Sequence, residues 1–376
     1  MDKSALATRL TFAAAGIGLA SWAPLVPFAK ARLAVDDAQL GLLLLSLGIG
    51  SVLAMLATGP VSARWGPRPV IIATALLMAV LLPCLAITPT FVLTAGALFA
   101  FGAGLGSLDV AMNIHAVEVE KRAGRNLMSG FHGLFSVGGV FGAGLVTVAL
   151  TLGASPLVAA LAPAVLIGVL TMLASTKLLD LSSSSGAPLF AVPRGIVLLL
   201  AMLAAITFLA EGAITDWSAL LITSDRLVNL SQGGSGYLTF AIAMTIGRFT
   251  GDAIVDRFGD FRVMLVGGAV AVAGFVALLV APAFAVAGVG FGLIGLGAAN
   301  LVPILFRHAG TQQAMPPGLA IAAITTTGYA GVLLGPAAIG LIADLASLRT
   351  AFWLIGGLML LVPLCAALVT GAATRR

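Results

Sequence analysis

Charged side chains are what this sequence most lacks: they make up 9% of its 376 residues, against roughly 25% in soluble proteins. With 60% hydrophobic residues and a mean hydropathy of +1.14, that scarcity excludes a soluble globular domain and leaves an integral membrane protein. Cysteine is nearly absent too. Cys84 and Cys365 each sit inside an apolar run and read as small buried hydrophobes, not as a disulfide or metal pair. Enzyme signatures are missing: there is no H-E-x-x-H, no Walker loop and no convincing nucleophile–base pair. The chain is therefore not an enzyme, needs no cofactor, and must draw any uphill work from an ion gradient such as the proton gradient. A net charge of +5 does not point to nucleic acid, because the basic residues fall in short loops between apolar runs, as the positive-inside rule describes. Glycine is what the chain has in plenty. Its 46 copies are about twice the usual share and suit helices that pack closely in a bilayer.

Apolar runs of about 20 residues predict twelve membrane spans, at 6–29, 38–62, 69–88, 91–116, 127–152, 155–178, 195–223, 232–255, 261–281, 284–306, 317–343 and 349–371. The first run, Leu6 to Phe28, is too long for a signal-peptide core and is expected to remain as a span. With both termini placed in the cytoplasm, fourteen basic residues fall inside. Only Lys30, Arg32, Arg226 and Arg349 fall outside, and Arg248 lies within a helix. That bias supports an even span count and a multi-pass protein of a bacterial inner membrane. The polar stretch Leu181 to Pro188 predicts a cytoplasmic linker at 181–194 between two six-helix bundles, 1–180 and 195–376.

The halves repeat. Arg64-Trp65-Gly66 answers to Arg257-Phe258-Gly259 at an offset of 193, as Gly138 and Gly142 answer to Gly331 and Gly335. Gly106-Ser-Leu-Asp109 is matched to Gly297-Ala-Ala-Asn300 at an offset of 191. Internal symmetry of this kind marks secondary transporters, which bind solute near the bilayer midplane between repeats.

Twelve spans, a central linker and a short basic loop after the second and eighth spans resemble the major facilitator superfamily across essentially the whole chain. That family's loop signature is Gly-x-x-x-Asp-Arg-x-Gly-x-Arg. Here the first copy runs from Gly59 through Ala63, Arg64 and Gly66 to Arg68, and the second from Asp252 through Asp256 and Arg257 to Gly259. Each copy departs once, at Ala63 and at Asp252. The resemblance implies a conformational latch in this loop, assigned to Arg64, Arg68, Arg248, Asp252, Asp256 and Arg257, with Arg248 pairing to Asp252 and Asp256. Asp109-Val-Ala-Met-Asn113, Ser129 to Ser136, and Glu211-Gly212 with Asp216-Trp217-Ser218 are similar to the fucose-permease-like branch, which implies proton symport. A drug-antiporter glycine–proline pattern is only half present, in the fifth span.

An acid inside hydrocarbon costs about 2.5–3.5 kcal/mol on insertion scales, so each one here is a functional candidate. Glu211, mid-span and without a basic residue within a helical turn, is expected to load and unload the coupling proton. Asp109 and His132 are expected to relay a proton or close an inner gate, and Asp216 to serve at an outer gate. Trp22, Asn113, Trp217 and Asn300 are the expected solute contacts, Trp217 as a stacking wall and Trp22 beside carbonyls freed by Pro24. The expected activity is proton-coupled symport of a small polar, sugar-like solute by a monomer in the lipid bilayer. Two alternatives stand beside it: a proton-driven exporter of metabolites or amphiphiles, and a non-transporting solute sensor, for which the short loops offer little output surface.

Overall fold

A computed structural model describes residues 3–124, 127–180 and 192–371, leaving aside the side chains of 129, 317, 318 and 322. Most of the predicted linker, residues 181–191, and the basic residues Arg125, Arg375 and Arg376 lie outside the described residues. The chain divides into two compact units, Met1–Gly186 with Asn229–Leu238, and Ala187–Val228 with Thr239–Arg376.

In the first unit, prolines and caps set where each helix starts and stops. Pro24 and Pro27 lack amide hydrogens and crowd the preceding turn, so the first crossing breaks into α1 (Lys3–Trp22) and α2 (Val26–Leu33) around a tight turn at Ala23–Leu25. α3 (Asp37–Trp65) opens with a reciprocal cap: the Asp36 carboxylate accepts from the Gln39 amide at 2.7 Å, and Gln39 Oε1 accepts from the Asp36 amide at 3.2 Å. It ends at Gly66, whose φ of 80° is open to glycine but strained for other residues, and Pro67 starts α4 (Pro67–Leu85). Thr90 caps α5 (Phe91–Ala123); α6 (Met128–Thr151) and α7 (Pro156–Ser175), capped by Ser155, complete the unit.

The second unit holds α8 (Ile196–Ser224), α9 (Gly234–Leu279) from Thr239 onward, α10 (Phe284–Ala298), α11 (Leu301–Thr311), α12 (Pro317–Leu345), α13 (Leu348–Met359) and α14 (Leu361–Thr370). Eleven helical runs among the described residues are long and apolar enough to cross a membrane. One of them, Leu230–Leu279, has 50 residues, while a single crossing takes about 20. It is two crossings folded at Gly259, where φ is 76° and ψ 155°. The result is an all-α fold consistent with the twelve predicted spans. Gly66 and Gly259 thus make the same turn in each half, 80° and 159° against 76° and 155°.

Packing is that of a membrane protein. Large apolar side chains face outward, as at Leu152 (82% exposed) and Leu345 (77%), while glycine lines the helix contacts. A β-carbon at Gly142 would lie 2.5 Å from the Ile17 carbonyl oxygen, and one at Gly331 would lie 2.6 Å from that of Ala205. Buried hydroxyls bond back to the carbonyl four residues earlier, Ser21 to Ile17 at 2.7 Å and Thr171 to Ile167 at 2.7 Å. Such bonds satisfy these hydroxyl donors where water is absent.

These contacts fix the register of the repeat. A β-carbon at Gly102 would strike the Leu47 carbonyl, and one at Gly295 the Phe240 carbonyl. Thr58 donates to Ser107 at 2.9 Å, and Gly251 packs on Asn300. Each pair recurs at an offset of 193. Asn300 therefore corresponds to Ser107, which corrects the offset of 191 and leaves Asp109 opposite Val302, with no polar counterpart.

Candidate functional site

In the first unit, α5 carries Asp109 and Asn113 one turn apart. The Asn113 amide donates to the Asp109 carbonyl at 2.9 Å and to its carboxylate at 3.2 Å, so Asn113 steadies the acid before it can meet a solute. On α6, the ring of His132 stands edge-on to Phe12 of α1, centroids 5.1 Å apart, while Phe131 stacks on the same ring at 5.7 Å. Trp22 is 2% exposed and Trp217, in the second unit, 0%; each indole N–H is buried without a hydrogen-bond partner. Trp217 is therefore not an open stacking wall and Trp22 is not exposed to a cavity, which corrects both expectations.

The second unit brings two distant charges together. Glu211 is the sixteenth of the 29 residues of α8, and Arg248 lies fourteen residues beyond the start of α9, so both are near the middle of a crossing. Arg248 Nη2 donates to Glu211 Oε2 at 3.2 Å, and the other carboxylate oxygen is buried with no partner. The expected pairing of Arg248 with Asp252 and Asp256 is corrected. Asp252 and Asp256 are exposed and carry no ion pair among the described residues. Asp216 lies five residues beyond Glu211 on the same helix. Asn300 donates to the Gly247 carbonyl at 3.2 Å, and its amide oxygen occupies the space a β-carbon of Gly251 would need. It is committed to holding α10 and α11 against α9, a correction to its assignment as a solute contact.

The loop charges form different clasps from those expected. Arg64 and Arg257 each lie over the neighbouring ring, Trp65 and Phe258, with 5.4 Å to the centroid. Arg68 Nη1 donates to both carboxylate oxygens of Asp180 at 2.8 and 2.7 Å, within the first unit. In the second unit Asp260, just past the Gly259 turn, is gripped twice: by Arg307 Nη1 at 2.7 Å and by His308 Nε2 at 2.9 Å.

Sequence reading missed His115, which is fully buried. Its Nε2 accepts from the Leu179 amide at 2.9 Å, which places the ring proton on Nδ1, 3.1 Å from the Thr8 hydroxyl. Thr8 in turn donates to the Ser4 carbonyl at 2.9 Å. One imidazole thus ties α1, α5 and the segment after α7. His308 stands at the same place in the second half, 193 residues on, and that spacing was the available signal. Three of the four basic residues assigned to the outer face are also engaged. Lys30 pairs with Asp37, Arg349 with Asp225 at 2.8 Å, and Arg32 donates to the Leu85, Ala86 and Thr88 carbonyls at 2.8, 2.6 and 3.0 Å, capping the end of α4. Among the described residues, no group of three His, Cys, Asp or Glu is placed to hold a metal ion.

Comparison with known proteins agrees with this architecture. A family profile described as Major Facilitator Superfamily matches residues 10–315. An uncharacterized MFS-type transporter of Yersinia pestis is 50% identical over 97% of this chain and 95% of its own length. Membrane protein MosC of Rhizobium meliloti is 33% identical, over 89% of this chain and 83% of its own. Among solved structures, a D-xylose-proton symporter superposes with a TM-score of 0.76 at 14% identity, covering 97% of this chain and 96% of that one. The nucleoside transporter NupG gives 0.75 at 16%, covering 98% and 99%. At such identities the likeness is one of fold.

Proposed function

This chain belongs to the Major Facilitator Superfamily, and we propose that it is a proton-coupled symporter of a small polar solute in the bacterial inner membrane. Both termini lie in the cytoplasm, as the bias of basic residues favours. The observation that carries the reading is Glu211: a carboxylate at mid-crossing, bonded through one oxygen to Arg248 at 3.2 Å while the other oxygen has no partner. A mid-membrane acid of this kind is a default candidate for a proton site. Asp109, Asp216 and His132 are assigned to proton transfer or gating around it. Arg68, Asp260, Arg307 and His308 are assigned to holding the loops during alternating access. The D-xylose-proton symporter of similar fold supports the choice of symport, and the fucose-permease-like motifs support a hydroxylated solute.

The test is thermal unfolding of the detergent-purified protein against sugars, polyols, sugar acids and amphiphilic amines at pH 5.5 and 7.5, followed by uptake of any hit into proteoliposomes under an inward proton gradient. Saturating ligand stabilises by about 2.7 kcal/mol at a hundredfold excess over its dissociation constant. The expected result is gradient-driven accumulation that Glu211→Gln abolishes while sparing exchange. Accumulation by Glu211→Gln overturns the assignment, and shifts from amphiphiles alone overturn the choice of solute.

A further inference from the structure

Among the described residues Arg248 uses one of its five N–H groups on Glu211 and makes no second ion pair. Its side chain is 38% exposed and that of Glu211 21%. A guanidinium at mid-crossing does not face lipid at that exposure, since charges within spans face the bundle interior or a water-filled cavity. The pair is therefore open on one side to the aqueous path. Asp252, one turn along α9, is within reach in sequence yet unpaired, so the arginine is held by a partner on another helix.

We infer that Arg248 is the anchor for a carboxylate on the solute, and that Glu211 is the internal carboxylate that occupies it between transport events. This rests on the reading of Glu211 as the proton carrier and names the class of solute: a small hydroxylated carboxylic acid, such as a sugar acid. The argument is one of charge. Arg248 with ionised Glu211 is neutral. Protonation of Glu211 alone leaves one positive charge at mid-membrane, and binding of an anion alone leaves one negative charge; either is costly where water is scarce. Protonation and anion binding together restore neutrality, so each favours the other, and a proton crosses with each anion. A neutral sugar leaves the protonated site with an uncompensated guanidinium. The planar fork of arginine also fits a carboxylate through two parallel N–H···O bonds, a geometry that Glu211 at a single 3.2 Å contact does not use.

Other ionisable groups on the surrounding helices are few. α8 adds Asp216, and α9 adds Tyr237 and Asp252 on its first crossing, with Asp256, Arg257, Asp260 and Arg262 around the Gly259 turn. α12 brings Tyr329, stacked on Phe208 at 6.4 Å, and Asp344 near its end. α11 carries Arg307 and His308, both on Asp260; α13 carries Arg349, on Asp225; and α14 carries Cys365.

The probes are D-glucuronate and D-gluconate, with D-glucose and D-glucitol as neutral counterparts, read by thermal unfolding of the full-length protein at fixed ionic strength. In the wild type, the carboxylates are expected to bind at least tenfold more tightly at pH 5.5 than at pH 7.5. Glu211→Gln is expected to bind them tightly at both pH values, and Arg248→Gln at neither. If Glu211→Gln does not fold, the wild-type pH comparison alone decides. Equal or tighter binding of the neutral counterparts at pH 5.5, or carboxylate binding retained in Arg248→Gln, overturns the inference. So does the absence of any carboxylate effect in both the wild type and Glu211→Gln. Proton-driven uptake of a neutral sugar that Glu211→Gln abolishes would sink this inference and leave the symport reading standing. Uptake that survives Glu211→Gln would sink the symport reading itself.

Discussion

Gly295→Ala tests the packing on which the fold rests. A β-carbon there would sit 2.5 Å from the Phe240 carbonyl oxygen and 3.0 Å from both the Ala243 β-carbon and the Met244 nitrogen. Ordinary contact begins at 3.4 Å, so α10 must retreat from α9 by roughly 0.9 Å at this level, and the obstacles, two main-chain atoms and a β-carbon, cannot rotate aside. Overpacking of this size costs about 1–3 kcal/mol, reduced by the helix preference of alanine over glycine, about 0.5–1 kcal/mol. Gly292→Ala is the control on the same helix, since nothing lies within 4 Å of its added carbon. It should keep the propensity gain and rise in stability. Thermal unfolding of both variants in one detergent should separate them by about 1–3 kcal/mol, with Gly295→Ala the weaker. Equal stabilities would refute the claim that α9 and α10 meet backbone to backbone.

Arg32→Lys should lower stability by about 1–3 kcal/mol, because an ammonium cannot serve the three carbonyls that end α4; an unchanged unfolding midpoint would refute the cap. His115→Leu strands the Leu179 amide and should raise hydrogen exchange there, with a loss of about 1–3 kcal/mol. Unaltered exchange at Leu179 would show that the imidazole is not its partner. Asp260→Asn and Arg307→Gln, taken singly and together, should yield a coupling of about 0.2–1 kcal/mol, since the pair is partly in water. A coupling near zero would leave His308 as the effective half of the clasp.

What could be read from the chain was whatever is written locally. The Gly66 and Gly259 turns, the proline breaks at Pro24 and Pro67 and the length of each apolar run are properties of short stretches, and the helices follow them. The partner of Arg248 was not local. Four residues along α9 an aspartate offered itself, while the contact that forms is with Glu211, 37 residues earlier; it depends on how α8 and α9 lie together, which no periodicity encodes. The repeat register slipped for a related reason. Asp109 resembles Asn300 chemically more closely than Ser107 does, but position is set by glycine contacts such as Gly102 on Leu47 and Gly295 on Phe240. His115 escaped notice because a single histidine in an apolar run carries no local pattern.

The glycine contacts also foretell how this chain can drift under selection. In a water-soluble enzyme the sites that tolerate least are the bulky side chains of the core. Here Leu152 and Leu345 look outward, where one greasy side chain serves as well as another, and the sites that cannot grow are those with nothing to lose. A saturation library should therefore be purged first at Gly102, Gly142, Gly295 and Gly331. Across long descent the leucines are free to wander while the lightest residues stay fixed.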